Sequence, residues 1–280
     1  MVDTPPTKIA LLQMTSGIVP ETNLAAIESA MAEASGKGAV MLFTPEMAAL
    51  LDRDGKRAAA HITLEQDSAW ITRLCEAAAR NKIWLHLGSA PFASERSDRK
   101  VNRALVIDNE GQVRARYDKM HLFDVDLPSG ESWRESASFD AGDEAVMVAT
   151  PWFNLGLSIC YDLRFPDLYR ALSNAGANVL AIPAAFTVPT GTAHWHTLMR
   201  ARAIEAASYV VAAAQVGNHE DGRATYGHSL VVDPWGHVIL DMKDTPGLGF
   251  AEIDSRVITE IRAKLPAIKH RRDIPNARTV

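Results

Sequence analysis

Short apolar runs rich in β-branched residues alternate along the chain with longer stretches that have a helical period. In the first half, Leu24, Ile27 and Met31 recur at helical spacing between two apolar runs, 8–13 and 40–43. The pattern predicts a helix between two buried strands. Repeated alternation of this kind is typical of a layered α/β fold.

The second half continues the same alternation. Strands are predicted at 152–159, 178–182 and 209–215, and helices at 166–175 and 193–207. The turn sequence 233–236 joins two further apolar runs into a predicted hairpin. Because no linker or internal repeat separates the halves, we expect one domain over 1–280, with a core of about 7–265 and a C-terminal tail of 266–280.

Composition excludes several classes of protein. The 280 residues are 47% hydrophobic and 22% charged, as in ordinary globular proteins. The net charge of −5 lacks the basic excess of a nucleic-acid-binding protein. The chain has no apolar run of about 18 residues and no secretory signal, so we expect no membrane partner and a cytoplasmic location. The two cysteines, Cys75 and Cys160, form no disulfide framework.

Familiar catalytic and binding motifs are missing from the sequence. Neither G-x-G-x-x-G nor G-x-x-x-x-G-K-[ST] occurs, so no cofactor is predicted. Ser229 lies in a partial hydrolase motif, but it leads into a predicted strand where a helix is required. His194 and His196 point to different sides of a predicted helix, and His228 has no spacing that marks a site. No metal site is therefore predicted.

Cys160 occupies a position of chemical interest. It stands at the carboxyl end of the predicted strand 152–159, shortly before a predicted helix that begins at Pro166. Open α/β sheets bind ligands at such strand ends, and a helix N-terminus favours a thiolate. A buried cysteine without a chemical role fits the position equally well. Cys75, in the middle of an amphipathic helix, is predicted to be part of the core.

Two charged residues follow other apolar runs. Glu46 comes just after the run 40–43, and Lys119 comes shortly after another extended stretch. Either residue alone fits a solvated loop charge. A thiol with an ordinary pKa of about 8.5 needs a base and a nearby cation to act as a nucleophile at neutral pH. Glu46 and Lys119 would supply both to Cys160.

At these residues the sequence resembles the nitrilase superfamily of carbon–nitrogen hydrolases. Three signatures occur in order, as Phe-Thr-Pro-Glu46, Tyr-Asp-Lys119-Met-His-Leu-Phe and Ser-Ile-Cys160-Tyr-Asp-Leu-Arg-Phe-Pro. The resemblance spans 9–250. It implies an α/β fold of the nitrilase type, a four-layer α-β-β-α sandwich, with Glu46, Lys119 and Cys160 as a catalytic triad and Glu135 as a second catalytic glutamate. It also implies pairing into homodimers.

Further stretches, among them 121–128, are similar to the amidases that act on deaminated glutathione and to the related ω-amidases. The forms Ala-Ala-Gln215 and Tyr-Gly-His-Ser229 favour the first group. His196 stands where the family often has Glu, and Thr44 where it often has Leu. The resemblance implies hydrolysis of a small amide with release of ammonia through a thioester, on an ω-amide of the α-keto acid type such as deaminated glutathione.

Four residues are predicted to contact the substrate. The backbone N–H of Tyr161 would hold the developing oxyanion. Arg164 would bind a substrate carboxylate, and the alternative is that it forms an ion pair with Asp162 or Asp167. Phe186 and Thr190, in a predicted loop after a strand, would line the pocket.

Two other functions stay open. An N-carbamoyl hydrolase or a true nitrilase would use the same triad, and a non-catalytic binding protein could share the fold. The presence of Glu46, Lys119, Glu135 and Cys160 together favours an enzyme, because a binding protein has no need of a nucleophile with its base.

Overall fold

Two six-stranded sheets form the centre of the computed structural model, which describes residues 5–126, 130 and 132–279. Leu127 and Pro128 of the stretch 121–128 lie outside the described residues, as do 1–4 and Val280. The strands are β1 (Thr7–Gln13), β2 (Met41–Phe43), β3 (Trp84–Ala93), β4 (Lys100–Ile107), β5 (Val113–Asp118), β6 (Asp124–Asp126), β7 (Ser132–Arg134), β8 (Met147–Ala149), β9 (Asn154–Leu157), β10 (Val179–Ala181), β11 (Tyr209–Ala212), β12 (Val216–Asn218), β13 (Ala224–Tyr226), β14 (Leu230–Val232), β15 (Val238–Asp241) and β16 (Gly247–Ile253).

Helices cover the outer faces of both sheets. They are α1 (Pro20–Gly36), α2 (Gly55–Ala59), α3 (Ala69–Asn81), α4 (Pro166–Asn174), α5 (Val188–Ala206) and α6 (Ser255–Lys264), with short 3₁₀ turns at Glu65–Asp67, Glu135–Ala137 and Cys160–Arg164. None of the described helices is long and apolar enough to cross a membrane.

Both sheets have a parallel centre and antiparallel edges. The first runs β16-β1-β2-β3-β4-β5, with β1, β2 and β3 parallel. The second runs β15-β14-β11-β10-β9-β8, with β9, β10 and β11 parallel. The carboxyl ends of parallel strands meet at one edge of a sheet, which is where such folds bind ligands. The predicted hairpin is confirmed as β14 and β15, which pair antiparallel.

The alternation of side chains along each strand builds four layers. Leu11 of β1 lies in the same buried cluster as Leu157 of β9, between the two sheets. Its neighbour Leu12 lies in a second cluster with Leu24 of α1 and Leu74 of α3. Successive residues of a strand face opposite sides, so β1 is buried on both faces. The four-layer α-β-β-α sandwich implied by the resemblance is confirmed.

The start of α5 differs from its prediction. The helix begins at Val188, five residues before the predicted start at Ala193. Pro189 suits the first turn of a helix, where no backbone N–H is needed. Gly191 permits a close contact with Tyr226, because a Cβ at this position would lie 2.2 Å from Cγ of that ring. Thr190 therefore lies in the first turn of a helix, and its predicted placement in a loop is wrong.

The region predicted as a tail contacts the body of the protein. Arg271 donates to Ser173 Oγ at 2.8 Å, to Asn174 Oδ1 at 2.7 Å and to the carbonyl oxygen of Glu205 at 2.9 Å. These bonds attach the chain after α6 to α4 and α5.

Candidate active site

Three strand ends and one 3₁₀ turn bring the predicted catalytic side chains together. Glu46 follows β2, Lys119 follows β5 directly, and Cys160 follows β9, while Glu135 begins the 3₁₀ turn after β7. All four line one pocket with a volume of about 320 Å³. The geometry therefore places a thiol, two carboxylates and an ammonium group around one space.

The Glu46 carboxylate is held by donors on both oxygens. Its Oε1 accepts from Lys119 Nζ at 2.9 Å and from Asn102 Nδ2 at 3.0 Å. Its Oε2 accepts from the backbone N–H of Ala185 at 2.9 Å. The carboxylate also accepts from the thiol of Cys160. Burial alone would favour the neutral acid, but the Lys119 ammonium and these hydrogen bonds hold the pKa of Glu46 below its usual value. Glu46 is an ionised base in contact with the thiol.

Lys119 forms a buried ion pair with both glutamates. Its ammonium group, 2% exposed, lies 2.9 Å from Glu46 Oε1 and 2.8 Å from Glu135 Oε2. Burial disfavours the charge, but the carboxylates of Glu135 and Glu46 raise the pKa of Lys119 well above its usual value. Glu135 is fixed in turn by the backbone N–H of Phe123, which donates to its Oε2 at 2.7 Å.

Asn102 is a residue of the site that sequence reasoning missed. Its amide on β4 donates to Glu46 at 3.0 Å and to Glu135 at 3.3 Å, so it links the two carboxylates. Nothing in the sequence around it marks this role. The contact depends on how β4 lies in the sheet, which the local pattern does not reveal.

The backbone at Cys160 is strained. Its φ is +50°, in the left-handed region that residues other than glycine rarely adopt. The backbone N–H donates to the carbonyl oxygen of Pro183 at 2.9 Å, next to the end of β10. A residue held in this conformation at a strand end is a frequent feature of functional sites.

The thiol of Cys160 is neutral in this arrangement. Burial and the neighbouring Glu46 carboxylate raise its pKa well above the usual value, against the opposing effect of the Lys119 ammonium. Desolvation and a carboxylate in direct contact outweigh the helix N-terminus, because α4 begins only at Pro166.

Asp162 supports the turn that carries the thiol. Its Oδ2 accepts from the backbone N–H of Ile159 at 2.8 Å and from the hydroxyl of Tyr117 at 2.7 Å. Its Oδ1 accepts from the backbone N–H of His121 at 3.0 Å. This buried carboxylate therefore joins the segment after β5, which carries Lys119, to the turn after Cys160.

Arg164 has no carboxylate partner among the described residues. The alternative of an ion pair with Asp162 or Asp167 is therefore wrong. Its guanidinium lies 5.8 Å from the ring centroid of Tyr161 and 5.6 Å from that of Phe186, and its Nη atoms contact His194 Nδ1 at 3.3 Å. The Asp162 carboxylate already accepts the hydrogen bonds described above. Arg164 keeps its charge available at the pocket wall.

The other predicted substrate contacts also line the pocket. They are Tyr161, Phe186 and Thr190. Thr190 Oγ1 lies 2.8 Å from Thr187 Oγ1. Within the described part of the chain no acceptor takes the backbone N–H of Tyr161, which follows the candidate nucleophile directly.

Two more arginines line the pocket and were missed from the sequence. Arg53 and Arg223 lie against the ring of Trp133, at 5.6 and 5.4 Å from its centroid. Arg223 forms an ion pair with Asp221 at 2.7 Å. The guanidinium of Arg53, like that of Arg164, has no carboxylate partner in the described ranges, although the backbone N–H of Arg53 donates to Asp221 Oδ2 at 3.0 Å.

Gly88 of β3 allows the segment that leads to Glu46 to lie close to the backbone of that strand. A Cβ at Gly88 would lie 1.9 Å from the carbonyl oxygen of Thr44 and 2.5 Å from that of Pro45, the two residues before the glutamate. We expect Gly88→Ala to displace this segment, to lower the free energy of unfolding by about 1 to 3 kcal/mol and to reduce kcat.

Thermal unfolding and turnover measured on the same preparation would check this prediction. Gly36→Ala is the matched control, because a Cβ at that helical position meets no atom within 4 Å. Unchanged stability and turnover in Gly88→Ala would contradict the proposed packing constraint.

Comparison with known proteins identifies the family. The sequence model of the carbon–nitrogen hydrolase family matches 8–263. A deaminated glutathione amidase from Synechocystis sp. is 41% identical over 269 residues, which cover 94% of this chain and 97% of that protein. The chain therefore belongs to the carbon–nitrogen hydrolase family, and the predicted resemblance is confirmed.

Solved structures agree with this assignment. The crystal structure of the Caenorhabditis elegans NitFhit protein matches with a TM-score of 0.89 and 40% identity, over 97% of this chain and 66% of that one. An amidase variant from Nesterenkonia sp. matches with a TM-score of 0.77 and 29% identity, over 93% and 98% of the two chains. In that structure acrylamide has added to the active-site cysteine.

Proposed function

We propose that the protein is an amidase in which Cys160 attacks the carbonyl carbon of a small amide. The observation that carries the proposal is the grouping of the buried Cys160 thiol, the Glu46 carboxylate and the Lys119 ammonium in one pocket, with Lys119 Nζ 2.9 Å from Glu46 Oε1. The acrylamide adduct at the active-site cysteine of the Nesterenkonia amidase supports a nucleophilic role for the cysteine.

The first half of the reaction forms a thioester. Glu46 takes the proton of Cys160 as the sulfur attacks, so no free thiolate has to build up beside the carboxylate. The carbonyl oxygen becomes negative and is held by the Lys119 ammonium and the backbone N–H of Tyr161. One such donor typically contributes about 2.7 to 4 kcal/mol. Protonated Glu46 then gives its proton to the departing nitrogen, and the C–N bond breaks.

The second half regenerates the thiol. Glu46, ionised again, takes a proton from water, whose oxygen attacks the thioester carbon. The carboxylic acid leaves and Cys160 recovers its proton from Glu46. Glu135 holds Lys119 in place throughout, since it accepts from Nζ at 2.8 Å.

We propose a substrate with two carboxylates, and deaminated glutathione fits this description. The name of the Synechocystis relative supports the choice. The compound carries one carboxylate at its α-keto acid end and one on the glycine of its cysteinylglycine part. Arg164 and Arg53, the pocket guanidiniums without a carboxylate partner, suit these two groups because a guanidinium binds a carboxylate through two parallel hydrogen bonds.

The identity of the leaving group follows from the substrate, and it corrects the expectation that deaminated glutathione releases ammonia. Cleavage of deaminated glutathione at the amide next to its keto acid releases the amine of cysteinylglycine, and 2-oxoglutarate as the acid. Ammonia is released only from a primary ω-amide such as α-ketoglutaramate, which has a single carboxylate.

A homodimer and a cytoplasmic location stay predictions from the sequence.

A substrate panel tests the proposed function. We expect higher kcat/KM for deaminated glutathione than for α-ketoglutaramate, an N-carbamoyl amino acid or an aliphatic nitrile, measured through 2-oxoglutarate, amine and ammonia release. Arg53→Ala should lower kcat/KM at least about tenfold for deaminated glutathione and leave α-ketoglutaramate unchanged. Arg164→Ala should impair both substrates.

Arg114→Ala, which removes an exposed arginine of β5 outside the pocket, is the control for the loss of one positive charge. Preferred turnover of the carbamoyl compound or the nitrile would replace the proposed function with one of those activities. If Arg53→Ala lowered kcat/KM equally for both amides, the proposed contact between Arg53 and a second substrate carboxylate would be wrong.

A further inference from the structure

A group of potential metal ligands, separate from the active-site pocket, lies where α5 packs against the β14–β15 hairpin. His196 Nε2 is 3.2 Å from Asp241 Oδ2, and His228 Nδ1 is 2.9 Å from Asp241 Oδ1. One ligand atom from each of the three residues lies within 4.8 Å of the others. None of the three lines the pocket that contains Cys160.

We propose that His196, His228 and Asp241 form a binding site for a divalent transition metal ion, with Zn²⁺ as the representative ion. Two imidazole nitrogens and one carboxylate oxygen are ligands that Zn²⁺ prefers. Zinc binds such atoms at about 2.0 to 2.2 Å, so tetrahedral ligands lie about 3.3 to 3.5 Å apart. The three ligand atoms lie within 4.8 Å of one another, so they have to approach by at most about 1.5 Å to reach this geometry.

The histidine between the strands is held firmly in its position. His228 has a φ of +54°, and its backbone N–H donates to the carbonyl oxygen of Lys243 at 2.6 Å. Its own carbonyl oxygen accepts from Trp195 Nε1 at 2.8 Å, and the Tyr226 ring stacks on its imidazole at 4.4 Å. A strained residue with this many restraints is pre-organised for a ligand.

Asp241 is the anionic member of the group. Its Oδ1 accepts from the backbone N–H of Lys243 at 2.9 Å, and each of its two oxygens lies within 3.2 Å of one imidazole nitrogen. The carboxylate is therefore oriented towards both imidazoles, as a shared metal site requires.

Lys243 competes with a metal ion for the same carboxylate. Its Nζ lies 2.7 Å from Asp241 Oδ2, and its side chain is 67% exposed. An exposed lysine can turn into solvent at small cost, since an ion pair of this kind contributes little to stability. The proposal therefore predicts opposite effects for two substitutions: loss of a ligand weakens binding, and loss of the competing ammonium strengthens it.

The prediction that His194 and His196 point to different sides of a helix is confirmed. His194 contacts Arg164, which lines the pocket, whereas His196 contacts Asp241. The second imidazole comes from His228, which only the packing of the hairpin on α5 brings near.

Titration with Zn²⁺ alone, in competition with a chromophoric chelator, tests the site. The parent is Cys160→Ala, so that the pocket thiol cannot bind the ion. We expect one ion per chain, affinity reduced at least about tenfold in His196→Gln, and affinity increased severalfold in Lys243→Met. His237→Gln is the matched control, because His237 is an exposed histidine paired with one aspartate, Asp233, at 3.0 Å.

Thermal unfolding gives a second readout. Saturating Zn²⁺ should raise the thermal midpoint of the parent and of His237→Gln, and should not raise that of His196→Gln. The absence of saturable binding by the parent would overturn the proposal, and so would equal affinity in His196→Gln and His237→Gln. Unchanged or weaker binding in Lys243→Met would also contradict it, and this variant leaves all three ligands in place.

Discussion

Replacement of Cys160 by alanine is expected to abolish amide hydrolysis and to leave the fold intact. The sulfur is the only atom of the residue that the proposed chemistry uses, and without it the reaction has no covalent intermediate. Removal of a catalytic nucleophile that acts together with its base lowers kcat by about 10⁴-fold or more. Release of 2-oxoglutarate from deaminated glutathione, followed together with thermal unfolding, measures both parts of the prediction.

The second cysteine supplies the control. Cys75 lies partly buried on α3, outside the active-site pocket, and burial also raises the pKa of its thiol. Cys75→Ala should therefore keep full turnover. If Cys160→Ala is folded, as judged by thermal unfolding, and still hydrolyses the substrate substantially, the thioester mechanism is excluded. Binding without hydrolysis by the unaltered protein would instead favour a non-catalytic binding protein.

The hydrophobic pattern predicted a layered α/β fold because strands and helices have different periodicities, whereas the four layers were implied by the family resemblance. Residues 9–12 are apolar at successive positions, since β1 is covered by α1 on one face and by the second sheet on the other. The start of α5 was less predictable. Pro189 and Gly191 interrupt helices in most contexts, and only the contact with Tyr226 explains the glycine here.

The sequence indicated Glu46, Lys119 and Cys160 because each follows the end of a strand, where α/β folds bind ligands. The packing of the two sheets brings them together, since Glu46 and Lys119 follow strands of the first sheet and Cys160 follows β9 of the second. Asn102 could not be found in this way, as it lies within β4 and depends on the neighbouring strands. The protonation state of the thiol was also inaccessible, because it depends on full burial and on direct contact with Glu46. The contacts of Asn102 and the protonation state of Cys160 both depend on distances between residues that are far apart in the sequence.

Glu46→Gln is the second substitution with a large expected effect. The variant lacks the base for both halves of the reaction, so turnover should fall by about 10² to 10⁴-fold. The shape of glutamine is close to that of glutamate, but its NH₂ group cannot accept the hydrogen bond that one carboxylate oxygen takes from Ala185 or from Asn102, so thermal unfolding is recorded alongside turnover. Release of 2-oxoglutarate under saturating substrate gives kcat directly.

The same substitution should make the thiol more acidic. Burial and the Glu46 carboxylate raise the pKa of Cys160, whereas the Lys119 ammonium lowers it. Loss of the carboxylate charge removes one of the two raising causes and keeps the lowering cause, so the midpoint of thiolate formation should move to lower pH. Ultraviolet absorbance of the thiolate, recorded as a function of pH against a Cys160→Ala blank, measures this midpoint.

Glu135→Gln is the comparison that shows whether the change in thiol pKa is specific to the charge of Glu46. Glu135 hydrogen-bonds to Lys119, and the carboxylate in contact with the thiol is that of Glu46. We therefore expect Glu135→Gln to lower kcat and to leave the thiolate midpoint much closer to that of the unaltered protein. Undiminished turnover in Glu46→Gln would remove Glu46 as the base. A midpoint that stays in place or rises in Glu46→Gln would show that burial alone keeps the thiol neutral, because the charge of Glu46 would then have no measurable part in it.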